Sequence, residues 1–120
     1  MGLRAIRGAI QVRANTAPDI AAGVQELIEA VLAANSLTPK DVISVFFTST
    51  IDLNAAFPAA ACREMGFANV PLIGSVEVDV PGALDRTIRA MLHVNTDKNP
   101  DQISHIYLHG AATLRRDIAQ

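Results

Sequence analysis

The stretch VISVFFTST, residues 42–50, limits the possible folds more than any other part of this chain. It is nearly continuous in apolar and β-branched side chains, which marks a central strand covered on both faces. Covering both faces is demanding for 120 residues, a length that suits one domain and not two. A domain of this size buries roughly two-thirds of its unfolded surface. Yet half the residues are hydrophobic and the mean hydropathy is +0.27. Part of this apolar excess must stay outside or be covered by another subunit. Large exposed apolar patches are rare on soluble monomers, so a homo-oligomer is expected.

The flanking elements follow from period and punctuation. LRAIRGAIQV, residues 3–12, reads as a strand with an arginine in its middle. Side chains two apart share a face of a strand, so Arg7 stands between Ala5 and Ala9, two small neighbours that leave it room. NTAPDIAAGVQELIEAVLAANS reads as an amphipathic helix with Ile20, Val24, Leu27, Ile28, Val31 and Leu32 on one face. Thr16 and Asp19 have capping-box spacing, Pro18 lies in the first turn and Asn35 ends the helix. LTPKDV repeats the start signal as a single turn. Phe57-Pro58 opens a short helix that Gly66 stops, and residues 69–78 read as a third strand. The spacing of Leu84, Ile88, Met91 and Leu92 predicts a second long helix within PGALDRTIRAMLHV. Residues 104–114 then read as the last strand. The expected fold is α/β, one domain over residues 1–120, with a mixed sheet and helices on one face. The other face is left bare, which again points to burial against other subunits. A flexible tail is expected over about residues 116–120.

Several function classes are set aside. The formal net charge of −2 argues against nucleic acid or an anionic membrane as the main partner. No apolar run is long enough for a membrane helix, and no secretory signal is visible. The single cysteine, Cys62, suits a cytoplasmic protein and falls in an apolar helical stretch, as a core thiol would. Phosphate-binding glycine loops and a nucleophile elbow are absent. His93, His105 and His109 have no partners at zinc-ligand spacing, so neither metal nor cofactor is expected. His105 and His109 would share one face of the last strand, about 13 Å apart.

What remains is a set of polar residues planted in apolar elements: Arg7, Arg63, Glu77, Arg89, Tyr107 and Arg115. Each has an ordinary alternative. Arg89 could pair with Asp85 one helical turn away, Arg63 with Glu64 could form a solvated face, Glu77 could point outward from an edge strand, and Arg115 could be a tail charge. Together they fit a guanidinium-rich pocket with one carboxylate and one phenol, suited to a small dianion that also carries a hydroxyl. Eight arginines against two lysines, Lys40 and Lys98, favour planar carboxylate recognition, though codon bias gives the same usage.

RAIRGAIQV, FTSTIDLNAAFPAAACREMG, VPLIGSVEVDVPGAL, IRAML, NTDKNPDQISHIYL and LRRDI resemble, in order and spacing, the AroH-type monofunctional chorismate mutases. The resemblance implies a homotrimer with an α/β-barrel-like core and clefts between subunits. It also implies the Claisen rearrangement of chorismate to prephenate in aromatic amino-acid biosynthesis. Such a reaction needs no nucleophile, metal or cofactor. By the same resemblance Arg89 donates to the ether oxygen and Glu77 accepts from the ring hydroxyl. Arg7 and Tyr107 grip the side-chain carboxylate. Arg63 and Arg115 gather at the mouth, Phe57 and Leu114 supply apolar wall, and Ile73 and Gly74 complete the substrate contacts. Gly74 stands where relatives offer a thiol or hydroxyl, and Ala60 where some carry lysine. Two other functions are alternatives: an enamine/imine deaminase-like trimer, whose arginine and glycine-rich signatures are missing, and a carboxylate-binding trimer without turnover.

Overall fold

A computed structural model of the chain describes residues 2–114. Five strands form one mixed sheet in the order β3-β2-β4-β1-β5. They are β1 (Gly2–Gln11), β2 (Val42–Ser49), β3 (Leu72–Val76), β4 (Thr87–Thr96) and β5 (Ile106–Leu108). Strand β4 runs antiparallel to both β1 and β2, while β3 and β5 pair in parallel with β2 and β1. Two helices, α1 (Ala17–Ala34) and α2 (Pro58–Arg63), pack on the same side.

Helix α1 starts where its capping box predicts: the Thr16 hydroxyl accepts the Asp19 N–H at 3.1 Å and donates to the Asp19 carboxylate at 2.9 Å. Its apolar stripe, with Ile20, Val24, Leu27, Ile28 and Val31 all buried, lies on Ile6 and Ile10 of β1 and Leu92 of β4. The helix approaches β1 closely at Gly8, where an added Cβ would lie 3.1 Å from Leu27 and 3.3 Å from Val31. Alternation along each strand settles which side chains meet the helices. Ile6 and Ile10, Val45 and Phe47, and Ile88, Ala90, Leu92 and Val94 point into this core. Arg7, Phe46, Arg89 and Met91 point the other way, onto a sheet face that neither α1 nor α2 covers.

Two expectations are corrected. The segment expected as a second long helix is a turn followed by β4. Leu84, Ile88 and Leu92 satisfy a helical period, but Ile88, Ala90, Leu92 and Val94 also satisfy the period of two. A place between β2 and β1, with both edges hydrogen-bonded, decides for the strand. The last strand is also shorter than expected. Residues His109–Thr113 form a 3₁₀ turn entered at His109, whose φ is +55°. His105 and His109 therefore share no strand face. The Arg7 amide donates to His105 Nδ1, while His109 Nε2 pairs with Glu26 at 2.9 Å.

Candidate active site

The register of the open face aligns the polar residues in two rows. Tyr107, Ala9, Arg89, Thr48 and Ser75 face one another across β5, β1, β4, β2 and β3. Arg7, Met91, Phe46 and Ile73 form the next row. Neighbouring strands lie about 4.8 Å apart, so Tyr107 and Arg89 flank Ala9 at roughly 10 Å backbone separation. Ala9 is fully buried, packed with Tyr107 and Ala111. Arg7 sits two residues along the same strand, on the same face.

Arg89 Nε lies 2.6 Å from Glu77 Oε1. The same Glu77 oxygen accepts from the Thr48 hydroxyl at 3.4 Å, and the Glu77 amide donates to the Ser49 carbonyl at 2.8 Å. Glu77 follows β3 directly, so its main chain is tied to β2 while its carboxylate reaches across to β4. Its grip on Nε orients the guanidinium plane, and the terminal nitrogens carry four further N–H donors. The pair stands between two hollows. One, of about 530 Å³, is lined by Arg7, Thr48, Met91, His93 and Tyr107 among others. The other, of about 470 Å³, is lined by Val78, Leu84, Thr87 and Leu114 among others. Glu77 and Arg89 border both. Leu84 and Leu114 pack on the small cluster of Ala9, Tyr107 and Ala111, giving the polar site an apolar flank.

The alternative pairing of Arg89 with Asp85 is excluded. Asp85 lies outside β4, where its carboxylate takes a hydrogen bond from Gln11 at 3.0 Å and approaches Arg86 at 3.6 Å.

A second group lies elsewhere. Phe57, 82% exposed, and Gly74 border a hollow of about 450 Å³ at the β3 edge, on the helix-bearing side. Arg63, in the last turn of α2, is exposed. Ile73 is on the open face, but two strands away from Arg89 and 60% exposed. A single chain thus brings together Arg7, Glu77, Arg89, Tyr107 and Leu114, and holds Phe57, Arg63 and Gly74 apart from them. Arg115 and the tail lie outside the described residues. Cys62 is fully buried, and burial pushes its thiol up to about 12 against the opposing pull of Arg63, as a core thiol requires. Among the described residues no cluster of His, Cys, Asp or Glu could hold a metal ion, and no helix is long and apolar enough to cross a membrane.

The family model "Chorismate mutase type I" matches residues 3–118. The chain belongs to the type I chorismate mutases. It is 43% identical to chorismate mutase AroH of Thermus thermophilus over 97% of this chain and 96% of that protein. It is 40% identical to chorismate mutase AroH of Bacillus subtilis, over 99% and 94% respectively. The solved chorismate mutase of Clostridium thermocellum superposes with a TM-score of 0.90 at 49% identity, covering 92% of this chain and 98% of that one. Membership in this enzyme family replaces both the deaminase-like and the non-catalytic readings. Sequence reading missed two partners of the expected site residues, Thr48 beneath Glu77 and His105 behind Arg7. Both depend on strand register: Thr48 meets Glu77 through the pairing of β2 with β3, and His105 meets Arg7 through the pairing of β1 with β5, each between segments distant in sequence.

Proposed function

We propose that the open face carrying Arg7, Glu77, Arg89 and Tyr107 performs the rearrangement of chorismate to prephenate, within aromatic amino-acid biosynthesis. The reaction breaks one C–O bond and forms one C–C bond inside a single molecule, without proton transfer. The enzyme must therefore hold the enolpyruvyl side chain folded over the ring and stabilise charge on the departing ether oxygen. Arg7 and Tyr107 hold the side-chain carboxylate. The terminal nitrogens of Arg89 donate to the ether oxygen, where negative charge grows as the bond breaks. Glu77 accepts from the ring hydroxyl while keeping Arg89 aimed. A rate gain of roughly 10⁶ requires about 8 kcal/mol, and one donor typically supplies about 3 to 4 kcal/mol. The remainder falls to the carboxylate grips that fix the reactive conformer.

The observation that carries this reading is the Arg89–Glu77 pair in line with Tyr107 across Ala9, with Arg7 beside it. The open face supports a homotrimer with an α/β-barrel-like core, because Leu3, Phe46, Ile73 and Met91 leave apolar area on it. In that assembly Phe57, Arg63, Ile73 and Gly74 of a neighbouring copy close the site, and Leu114 with Phe57 supplies its apolar wall. The test is Arg89→Ala, followed by the loss of chorismate absorbance with prephenate identified as product. Its kcat should fall by about three orders of magnitude or more in a folded oligomer. Near-normal kcat overturns the assignment.

A further inference from the structure

We infer that His105 is a positioning residue for Arg7, its ring nitrogen fixing the strand backbone from which the guanidinium projects. The inference rests on the proposed carboxylate grip by Arg7 and Tyr107.

The Arg7 amide donates to His105 Nδ1 at 2.9 Å. Strand β5 pairs with β1 only from Ile106, opposite Gly8. At Arg7 the imidazole supplies the acceptor, and so extends the ladder one step beyond the main-chain pairing. A backbone N–H can only donate, so Nδ1 must carry the lone pair and the neutral ring must hold its proton on Nε2. The next rung but one pairs Ala9 with Tyr107. His105 and Tyr107 are therefore two residues apart on one segment, and that segment meets β1 at Arg7 and again at Ala9. The bond sets the spacing between the two halves of the grip.

The histidine is itself anchored. Asn35, at the C-terminal end of α1, is 1% exposed. Its amide donates to the Ser104 carbonyl at 2.9 Å and accepts the Ser104 amide at 2.8 Å. It also donates to the Val31 carbonyl at 2.9 Å. The end of the long helix thus holds Ser104, the neighbour of His105, by both main-chain groups.

The test is steady-state kinetics with chorismate. His105→Leu removes the acceptor and should raise KM roughly tenfold, with a smaller change in kcat. His105→Asn offers an amide oxygen near the Nδ1 position and should restore KM to within about threefold of the unaltered protein. In an Arg7→Ala background, His105→Leu should raise KM no further. Amide exchange at Arg7, followed by NMR, should be faster in His105→Leu than in His105→Asn. If His105→Leu fails to fold, His105→Gln, whose oxygen reaches past the Nδ1 position, takes its place. Equal impairment by the Leu and Asn variants overturns the inference, as does an unchanged KM in His105→Leu or a full additional rise in the Arg7→Ala background. If Arg7→Ala alone leaves KM unchanged, the grip reading falls and this inference with it. If Arg7→Ala raises KM and His105→Leu does not, only the inference falls.

Discussion

Glu77 meets Arg89, Thr48 and, through its own amide, the backbone of β2, so one residue ties the middle of the sheet to the guanidinium. Removing its charge should cost more than one hydrogen bond. Glu77→Gln keeps the shape but leaves Arg89 without its ionic partner. The guanidinium then samples other orientations, and on the role proposed for Arg89 kcat should fall by about one to three orders of magnitude while thermal stability changes little. Stopped or steady-state assays alongside a thermal melt check both halves of this expectation. The residues that proved to stand together were visible in the sequence because each breaks an apolar pattern: Arg7 between alanines, Glu77 between valines, Tyr107 in a β-branched and apolar run. The roles proposed for them come only from family resemblance. Thr48 and His105 break no pattern. A threonine is ordinary in a strand, and a histidine before a short strand carries no signal of what its ring will accept.

At the scale of elements, α1 was legible from its single period and β2 from its continuous apolar, β-branched run, although Ile43 and Phe46 leave one face of β2 exposed in the chain. β4 was not, since its apolar residues fit two periods, and the hydrogen bonds that decide between them come from distant strands. The contact between α1 and β1 sets a sharper constraint than helix propensity. Alanine in place of a helical glycine ordinarily stabilises by up to about 1 kcal/mol. At Gly23 a Cβ would collide with Val12, so Gly23→Ala should instead destabilise by about 1 to 3 kcal/mol, measurable by urea denaturation. A second constraint lies at the entry to β4. Arg86, at φ +49°, donates its amide to the Asp52 carboxylate at 2.9 Å and its guanidinium to the Val12 and Arg13 carbonyls. Burial raises the Asp52 carboxyl, but hydrogen bonds from Thr50 and the Arg86 amide outweigh it and hold the group below the usual carboxylate range. A depressed folded value means that the carboxylate stabilises the fold above the ordinary aspartate value of about 3.9. That contribution is lost as pH falls through the folded value. Asp52→Asn should therefore lower the melting temperature at pH 7 and narrow the gap to the unaltered protein as pH falls below about 4.

At the scale of the whole molecule, the division of the site residues within one chain makes a prediction about mixing. Arg7 lies on the open face, while Arg63 lies on α2 on the opposite side of the sheet. If one site takes its face from one copy and its edge from the next, Arg7→Ala and Arg63→Glu disable different halves. Each homogeneous variant should be nearly inactive at low chorismate. If the chain forms the proposed trimer, unfolding and refolding the two together at equal concentrations should give mixed trimers with some sites intact. An intact site needs its face from the Arg63→Glu copy and its edge from the Arg7→Ala copy, so about one site in four should recover. Activity near a quarter of the unaltered protein supports a site shared between copies. No recovery, with mixed trimers demonstrated by mass, means that both residues serve a site within one chain. That outcome would leave Phe57, with 82% of its surface exposed, without a partner to cover it. The apolar excess of the sequence argues the other way, because the same neighbour that completes the chemistry would also remove this exposed surface from water.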